Sequence, residues 1–536
     1  MSLSAIGPQD TYFDGKDSFF ENNQIRHSNF AIYQRSTKIK KPETPTSTTW
    51  PFGETIQVKM NPQNMGDLLC NMYLKCTLPP NDIPPNLFQY ASDVGKALIK
   101  TIEFRVDEHE IETLYTDWSV IYDELYLTEE EKDGLRYLDN NGQPSGASPG
   151  ETTKSIKLFI PLHFFFGRRH STKDFDNKLL NDKFFKPYFP LCAIHKQQIF
   201  LNITFNDATF FTNGRNVELP QFEIVTEEVT LTPLERSYII NNKQSITTEL
   251  MRRQSPLDID SFFVQAKNNL VPNIPVKTLH WFFRRDEFEN NPDEIANRFN
   301  FGNYYNGPTE TSNIYIQAEN PIMSDAELFI NGTQNLGFMQ GEGRNSITTA
   351  NYFKHQVPFK VGLSAPLRNI YTYSFSLKPK DPLPTGALDF SQLNSDKTFL
   401  LASLLETGKD STATTTRTQN SVIATVTGTV KTAQSGSSLS ITATANCFST
   451  IRIYQNSDTP LYTSSEPELS VTETPTITSI NNEIFITASN VENSGTSTTS
   501  NISLIKPPLI YKYHVYYTGY QTLQYENGFV SPMFST

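Results

Sequence analysis

Residues 369–390 read NIYTYSFSLKPKDPLPTGALDF, two apolar segments joined by a proline-rich corner. The first segment, Ile370 to Leu377, is rich in β-branched and aromatic residues, as is typical of a strand. The strand must end in the corner, because three residues there fix φ and lack an N–H donor: Pro379, Pro382 and Pro384. Gly386 then allows a turn back into a second apolar strand around Leu388 and Phe390. The stretch is typical of an antiparallel β-fold.

The length and composition favour an all-β protein with more than one domain. The chain has 536 residues, more than one hydrophobic core usually organises, so two or three domains are predicted. Hydrophobic residues make up 37% and aromatic residues 12%, enough to build large cores. The 33 prolines and 25 glycines indicate many strand ends and turns instead of long helices.

Alternation of apolar and polar residues predicts individual half-buried strands. Every second residue is apolar in residues 70–78, and residues 102–106 repeat the pattern. Cys70 and Cys76 would lie about 20 Å apart in such a strand, at ~3.3 Å per residue, too far for a disulfide. The simpler interpretation is a reducing compartment, with both cysteines packed as small hydrophobic residues.

One helix and several further strands can be placed from the sequence. A helix is predicted from Thr128 to about Leu138, because Thr128 can cap its N-terminus and Glu131 lies at the capping-box position. Other apolar segments predict strands in both halves of the chain: residues 199–205, 222–230, 276–283, 314–318, 326–330 and 370–377. The comparable spacing indicates two copies of one architecture.

The composition changes between about Gly408 and Asn501, where Thr, Ser and Asn dominate and charges are few. A linker is one interpretation of this insertion. Four segments within it, SVIATVTGTV, LSITATANCF, TIRIY and EIFITA, alternate well enough for short strands, which favours a small β-domain.

No residue pattern in the chain indicates a catalytic or metal site, so we expect neither an enzyme nor a cofactor. The eight histidines lack metal-ligand spacing, and no phosphate-binding or nucleophile motif occurs. Residues 107–112 contain four carboxylates around His109, but a solvated strand edge explains them better than a glycosidase pair. The net charge of −12 argues against a protein that coats nucleic acid.

Two groups of residues are candidates for contact with another subunit. The basic cluster Arg168, Arg169 and His170 could touch nucleic acid or an anionic membrane, but a solvated or subunit-pairing surface is favoured in an acidic protein. The same holds for two other basic clusters, residues 35–41 and 252–253. An aromatic group interrupted by prolines could pack in the core or anchor a neighbouring subunit: Phe184, Phe185, Tyr188 and Phe189.

Eleven different short motifs occur one after another along the chain: Arg26 to Ala31, Phe52-Gly53, Val94 to Ile99, Asp117-Trp118, Glu124-Leu125, Ile160 to Leu162, Phe164 to Phe166, Leu234 to Arg236, Pro275 to Lys277, Leu328 to Gly332 and the stretch quoted first. In this order they resemble the motifs of double jelly-roll major capsid proteins of large eukaryotic DNA viruses, virophages and polinton-like viruses. Tyr122 stands where that family usually has tryptophan. Each motif is moderately specific, and their shared order is what carries the resemblance.

The resemblance implies an all-β fold of two tandem eight-stranded jelly-roll barrels, with the Ser/Thr-rich β insertion in the second barrel. The expected boundaries are an N-terminal arm at 1–25, a first jelly roll at 26–232, a linker at 233–249, a second jelly roll at 250–407 with 510–536, and the insertion at 408–509. By the same resemblance the insertion is expected on the outer capsid surface.

The expected function is that of a major capsid protein, which forms trimeric pseudo-hexagonal capsomers and assembles into an icosahedral shell. The expected partners are other copies of the chain, minor capsid and penton proteins, and an inner membrane or host receptor, without specific nucleic acid. By the same resemblance the chain is expected in the virion, assembled in the infected host cell. Secretion is not expected, because the N-terminus shows no signal peptide. The alternatives are a glycan-binding adhesin or spike, and a β-rich glycan hydrolase.

Overall fold

The structure is a computed structural model that describes residues 31–39, 50–80, 90–146, 155–168, 188–212, 220–260, 265–303, 314–319, 321–336, 349–380, 384–404, 411–419, 422–430, 441–455, 462–464, 468–473, 484–490, 497–502 and 510–533. The chain divides into two compact units. The larger unit comprises Met1–Leu257, Lys267–Leu401 and Tyr513–Thr536, and the smaller comprises Asp258–Ala266 and Ala402–Lys512.

The first barrel is built from nine strands: β1 (Ala31–Lys38), β2 (Thr55–Met60), β3 (Leu68–Leu78), β4 (Ile99–Val106), β5 (His109–Tyr115), β6 (Ile156–Pro161), β7 (Phe189–Pro190), β8 (Ile199–Phe205) and β9 (Gln221–Thr230). One sheet has the order β1-β9-β3-β6, with the two-residue β7 beside β3. The other has the order β2-β8-β4-β5. Two four-stranded sheets with non-sequential neighbours are the arrangement of a jelly roll.

The predicted alternation is confirmed in these strands. Leu74 in β3 and Phe104 in β4 are fully buried, as are most apolar residues of both strands. Cys70 and Cys76 are buried free thiols, as their spacing predicts. Aromatic rings pack against one another in the core, for example Trp50 and Phe222, whose centroids are 4.8 Å apart. Apolar burial from both sheets therefore holds the barrel together.

Five helices accompany the first barrel within the described residues: α1 (Val94–Ala97), α2 (Thr116–Tyr126), α3 (Glu129–Asp139), α4 (Ala208–Phe211) and α5 (Pro233–Asn241). Helix α3 confirms the helix predicted from Thr128. The Thr128 hydroxyl accepts from the Glu131 N–H, and the Glu131 carboxylate accepts from the Thr128 N–H. The segment predicted as a linker, 233–249, contains helix α5 and the start of the next strand.

The second barrel is built from β10 (Gln244–Asp260), β11 (Gln265–Asn269), β12 (Val276–Arg285), β13 (Met323–Ile330), β14 (Thr333–Leu336), β15 (Tyr371–Ser374), β16 (Phe399–Leu404), β24 (Ile510–Glu526) and β25 (Phe529–Pro532). One sheet has the order β10-β24-β12-β15, with β25 beside β24, and the other has the order β11-β16-β13-β14. The layout of two four-stranded sheets repeats that of the first barrel. The prediction of two tandem jelly rolls is confirmed.

Two predicted strands of this barrel are wrong. Residues 314–318 lie in helix α6 (Ile314–Glu319), because a short apolar run fits a helix as well as a strand when its other residues, here Gln317, Ala318 and Glu319, favour helix. The second strand predicted in residues 369–390 is reduced to one bridge between Leu388 and Val276. The Asp389 side chain accepts from the Ser391 N–H and caps a 3₁₀ turn, Phe390–Gln392, which ends the extended chain.

The remaining helices of the larger unit within the described residues are short: Asp286–Asn290, Thr349–Asn351, the π-helical turn Tyr352–Gln356, Val357–Val361, and the 3₁₀ segments Pro62–Asn64, Leu191–Ile194, Pro292–Asn297 and Ser395–Lys397. In the parts of the chain that the structure describes, no helix is both long and apolar enough to span a membrane.

The described residues of the insertion are strands: β17 (Ser411–Gln419), β18 (Val422–Val430), β19 (Ile441–Gln455), β20 (Tyr462–Thr463), β21 (Glu468–Glu473), β22 (Ile484–Asn490) and β23 (Ser497–Ile502). They form one sheet with the order β17-β18-β19-β22-β23, and β20 and β21 also pair with β19. The paired strands are antiparallel, for example Ser411 opposite Val430.

The corner at Gly386 gives a first testable prediction. Gly386 has φ +143°, and a Cβ there would lie 2.5 Å from the Phe375 carbonyl oxygen. We expect Gly386→Ala to lower the free energy of unfolding by about 1–3 kcal/mol, measured by thermal or denaturant unfolding. The matched control is Gly134→Ala in helix α3, where a Cβ meets nothing within 4 Å and should be neutral or stabilising. Equal stability of the two variants would contradict the argument.

Candidate functional site at the interface between the two barrels

Helix α2 (Thr116–Tyr126) leaves the first barrel after β5 and contacts the second barrel along its length. It starts without a side-chain cap, and most of its residues are buried, including the charged Asp117, Asp123 and Glu124. A buried carboxylate requires a cationic or hydrogen-bonded partner. The partners of Asp117 and Glu124 come from the second barrel, so this helix carries the main polar contacts between the barrels.

Asp117 forms a two-point ion pair with Arg284 of strand β12. The Nη1–Oδ1 and Nη2–Oδ2 distances are 2.7 and 3.3 Å, and both side chains are almost fully buried. The Tyr516 hydroxyl also donates to Asp117, at 3.2 Å, and Glu289 accepts from Arg284 at 3.0 Å. Burial alone would lower the pKa of Arg284, but the two carboxylates raise it. The guanidinium is therefore charged at any physiological pH.

Arg368, in the loop before β15, forms a second set of ion pairs with the first barrel. Its Nη2 lies 2.7 Å from Asp93 Oδ2 and its Nη1 lies 2.7 Å from Glu124 Oε1. The Leu367 N–H donates to the other Glu124 oxygen at 2.8 Å. One carboxylate thus binds both a side chain and the backbone of the same loop, which fixes the loop against helix α2.

Arg298 contacts the first barrel through carbonyl groups. Its guanidinium donates to the carbonyl oxygens of Thr209 and Phe210 at the end of helix α4, at 2.8 and 2.7 Å, and to that of Phe288. Burial and the neighbouring Arg284 lower the pKa of Arg298 to about 10. A cation at the carbonyl end of a short helix satisfies acceptors that lack partners within the helix.

Glu112 of strand β5 joins three segments. Its carboxylate accepts from the N–H groups of Phe165 and Met251 at 2.8 and 2.7 Å, and it pairs with Arg168 at 2.5 Å. Arg168 also donates to the Glu249 carbonyl oxygen. The prediction of a solvated edge is therefore wrong for Glu112, which is fully buried. Alternation within one strand cannot show that a carboxylate is used by a distant segment.

The predicted subunit-contact residues are placed in three different ways. Arg168 and Phe189 are buried inside this chain, so their side chains have almost no surface to offer another subunit. The Phe189 ring packs on Phe104 in the core of the first barrel, with centroids 5.2 Å apart. Tyr188 is 37% exposed and stays a candidate for a contact. The other three lie outside the described residues: Arg169, Phe184 and Phe185.

A polar chain between Tyr126 and His280 completes the interface. The Tyr126 hydroxyl lies 3.2 Å from His280 Nε2, and His280 Nδ1 lies 3.0 Å from the Thr372 hydroxyl. Burial lowers the pKa of His280 to about 3, so its imidazole is neutral. A neutral ring with a partner on each nitrogen holds its position by hydrogen bonds alone.

A second charged cluster lies within the first barrel, next to Arg368. Lys96 Nζ lies 2.9 Å from Asp123, 3.3 Å from Asp139 and 3.8 Å from Asp93. Burial opposes the charge of Lys96, but the three carboxylates raise its pKa. Among the residues that the structure describes, no group of His, Cys, Asp and Glu is suited to hold a metal ion. The ammonium group is the cation of this cluster.

Sequence analysis missed the three interface arginines. They are Arg284, Arg298 and Arg368. The one local signal is in strand β12, VKTLHWFFRR, where every residue is buried although the strand carries Lys277, His280 and two arginines. A strand buried on both faces reads as a continuous apolar run, and charges within such a run indicate a second packing partner.

Two jelly rolls in one chain, joined by buried ion pairs, define a double jelly-roll protein. The chain is similar to the solved structure "PBCV-1 virus capsid, quasi-atomic model", with a TM-score of 0.57 and 15% identity, covering 97% of this chain and 100% of that chain. At this identity the similarity establishes the fold. The architecture is therefore that of a double jelly roll.

The sequence comparisons identify the family. The family model "Major capsid protein N-terminus" matches residues 18–226, and "Large eukaryotic DNA virus major capsid protein" matches residues 227–459. The chain is 24% identical to the major capsid protein of Pyramimonas orientalis virus, over 74% of this chain and 89% of the relative. It is also 24% identical to that of Paramecium bursaria Chlorella virus 1, over 73% and 84%. The chain belongs to the major capsid proteins of large eukaryotic DNA viruses.

The buried pair of Arg284 and Asp117 gives a prediction for stability. Arg284→Met leaves the Asp117 carboxylate buried without its main partner, and we expect a loss of about 3–5 kcal/mol in the free energy of unfolding. The double variant Arg284→Met/Asp117→Leu should recover part of this loss, because it removes both charges. Denaturant unfolding of the three chains measures the effect.

The matched control for this measurement is Arg105→Met. Arg105 pairs with Glu103 at 3.6 Å, and both side chains are 32% exposed. Solvent screening should limit the cost there to about 1 kcal/mol or less. If Arg284→Met costs no more than this control, the buried pair does not determine the stability of the two-barrel unit.

The Lys96 cluster gives a prediction for pH dependence. Burial, with Asp123 and Asp93, raises the pKa of Asp139 to about 7 against the opposing effect of Lys96. The pKa of an Asp in the unfolded chain is about 3.9. Between this pKa and that of folded Asp139, the folded chain binds one more proton than the unfolded chain. The free energy of unfolding therefore falls as pH rises through this window. We expect Asp139→Asn to remove this decline, so that the difference in unfolding free energy between parent and variant changes from about pH 4 to pH 8.

The control on the same helix is Asp133→Asn, whose side chain is 72% exposed. It should follow the parent at every pH. Parallel stability curves for the parent and Asp139→Asn would contradict the prediction. The comparison by difference cancels other titrating groups, among them His280, whose lowered pKa gives the opposite dependence.

Proposed function

We propose that this chain is the repeating subunit of an icosahedral virion shell, and that three copies form one pseudo-hexagonal capsomer. The observation that carries the proposal is the union of two similar barrels in one compact unit by buried ion pairs. A ring of three such chains contains six similar barrels. A trimer with threefold symmetry can then take the place of a hexagonal unit in the shell, although it is built from copies of one chain.

The contacts between subunits in this proposal are apolar at the seams of the trimer and polar between capsomers. The larger unit exposes several large apolar side chains that could contribute to seams, each more than 60% exposed: Tyr315, Phe359 and Leu377. Tyr188 joins these candidates. A trimer seam would bury these side chains and so add apolar contact area between the copies.

Further partners belong to the same proposal. Neighbouring capsomers surround each trimer, and minor capsid and penton proteins fill the positions that capsomers leave open. The insertion is proposed to lie on the outer face of the shell, where it could contact a host receptor, and an inner membrane would lie on the opposite side. Specific binding of nucleic acid is not proposed, since the net charge of −12 disfavours it.

A glycan-binding adhesin is the alternative that the sequence left open. It is not favoured, because the matched family is one of capsid proteins. Glycan hydrolysis is not favoured for the same reason, since the family's role is structural.

The oligomeric state tests the proposed function. We expect the purified chain to elute with a molar mass of three times 60.8 kDa, about 182 kDa, in light scattering coupled to size exclusion. Negative-stain images should show pseudo-hexagonal particles. A chain whose insertion, residues 408–509, is replaced by a short Gly/Ser linker should remain trimeric, since an outward insertion is not needed for the seams. A monomer at all salt and protein concentrations would contradict the proposal.

A further inference from the structure

Helix α5 leaves an apolar groove on the surface of the first barrel. The groove has a volume of about 430 Å³. Its lining is almost entirely apolar: Leu68, Leu231, Leu234, Glu235, Tyr238 and Ile239. Leu234 and Tyr238, one helical turn apart, are 84% and 65% exposed. Two large side chains on one exposed helix face form a surface suited to an apolar partner.

The groove is held in a fixed shape by polar contacts beneath it. Thr232 and Glu235 form a capping box at the start of helix α5, with Pro233 in the first turn. The buried Asp67 accepts from the Leu231 N–H at 2.8 Å and pairs with Arg236 at 3.2 Å. These contacts fix the helix with Leu234 and Tyr238 facing outward. The groove is preformed, so an occupant would not have to order it.

The first described strand begins close to this groove. Strand β1 is antiparallel to β9, and its first residue, Ala31, lies opposite Thr230, the last residue of β9. Ala31 therefore lies at the end of the sheet at which β9 ends. Leu231, the residue after Thr230, lines the groove. Thirty residues precede Ala31.

The sequence of this segment complements the groove. It contains two aromatic pairs, Tyr12-Phe13 and Phe19-Phe20. Between residues 10 and 21 it carries four acidic residues and one lysine, a net charge of −3. Arg236, next to the lining residue Glu235, has a side chain that is 57% exposed while it pairs with Asp67. The aromatic pairs match the apolar groove, and the acidic residues around them match the exposed Arg236.

We propose that residues 10–21 of the same chain dock in the groove of helix α5, with the aromatic pairs against Leu234 and Tyr238. The nine residues between Glu21 and Ala31 can span up to about 30 Å, enough to fold back over a groove that begins beside Thr230. A tethered segment has a millimolar effective concentration at a nearby site, which favours the chain's own segment over that of a second copy. The N-terminal segment thus covers an apolar face of its own barrel.

Cross-linking tests this docking in the full chain. Ser18→Cys and Ser237→Cys place thiols beside the anchors and leave every anchor in place. A short bifunctional maleimide should link them within one chain, identified by mass spectrometry of the joined peptides. The parent chain reports any background from its own thiols, of which Cys70, Cys76 and Cys192 are buried. The control pair Ser18→Cys and Ser395→Cys places the second thiol on the second barrel and should link at least tenfold less.

Variants of the anchors separate docking from chance proximity. Two sets of changes are made in the Ser18→Cys/Ser237→Cys chain: Phe19→Ser with Phe20→Ser, or Tyr238→Ser alone. Each should lower the yield of the link at least tenfold. Neither should lower the melting temperature by more than the scatter between repeat measurements. A yield that these changes leave unaltered, or that equals the Ser395→Cys control, overturns the proposal. Links that form mainly between two differently tagged single-cysteine chains would assign the groove to the segment of a second copy and would also overturn it.

Amide hydrogen exchange supplies an independent measurement. Removal of residues 1–25 should increase exchange of the peptide that contains helix α5 at least threefold, while the peptide that contains helix α3 stays unchanged. Equal exchange of helix α5 in the two chains would show that the groove is open or covered by another surface, and would overturn the proposal. Trimer formation is measured separately, so this result does not depend on the proposed capsomer.

Discussion

The structure depends on two buried arginine side chains of the second barrel, each of which pairs with a carboxylate of the first barrel. Asp117 with Arg284, and Glu124 with Arg368, connect the barrels at nearly dry positions. An apolar contact tolerates small sliding movements, but a buried charge that loses its partner costs several kcal/mol. The ion pairs therefore restrict the two barrels to one relative arrangement, in addition to whatever stability they contribute. For a subunit that must imitate two positions of a hexagonal ring, this restriction is the useful property.

Strand β12 shows how the second barrel meets this constraint. Three of its residues at even positions contact helix α2: Thr278 and His280 lie within hydrogen-bond distance of the Tyr126 hydroxyl, and Arg284 pairs with Asp117. Its residues at odd positions face the second barrel, where Trp281 packs on Phe353 and Phe283 on Tyr513. All ten residues are buried. The strand belongs to two cores at once, so the interface is continuous with the interior of the barrel.

Much of the fold could be predicted because strand and cap signals are local. Alternation placed β3, β4 and β8, and a capping box placed helix α3 within one residue. Short apolar runs such as residues 314–318 could not be assigned, since helix and strand bury them equally well. The interface could not be predicted either. Arg168 looked like a surface cation, and its partner Glu112 lies 56 residues away in a position that no local pattern indicates.

The spacing of the two carboxylates on helix α2 places the two ion pairs at separate points of the interface. Asp117 and Glu124 are seven residues apart, so they lie on one face of the helix and about 10 Å apart along its axis. Their partners come from different segments, strand β12 and the loop before β15. One anchoring point would leave the barrels free to rotate about it in every direction, whereas two separated points leave only rotation about the line that joins them. The contacts of Arg298 with the carbonyl groups of Thr209 and Phe210 oppose that remaining rotation. Tyr122 stacks on His163 of the first barrel, with ring centroids 4.2 Å apart. This stack holds the middle of helix α2 against its own barrel, between the two anchoring points.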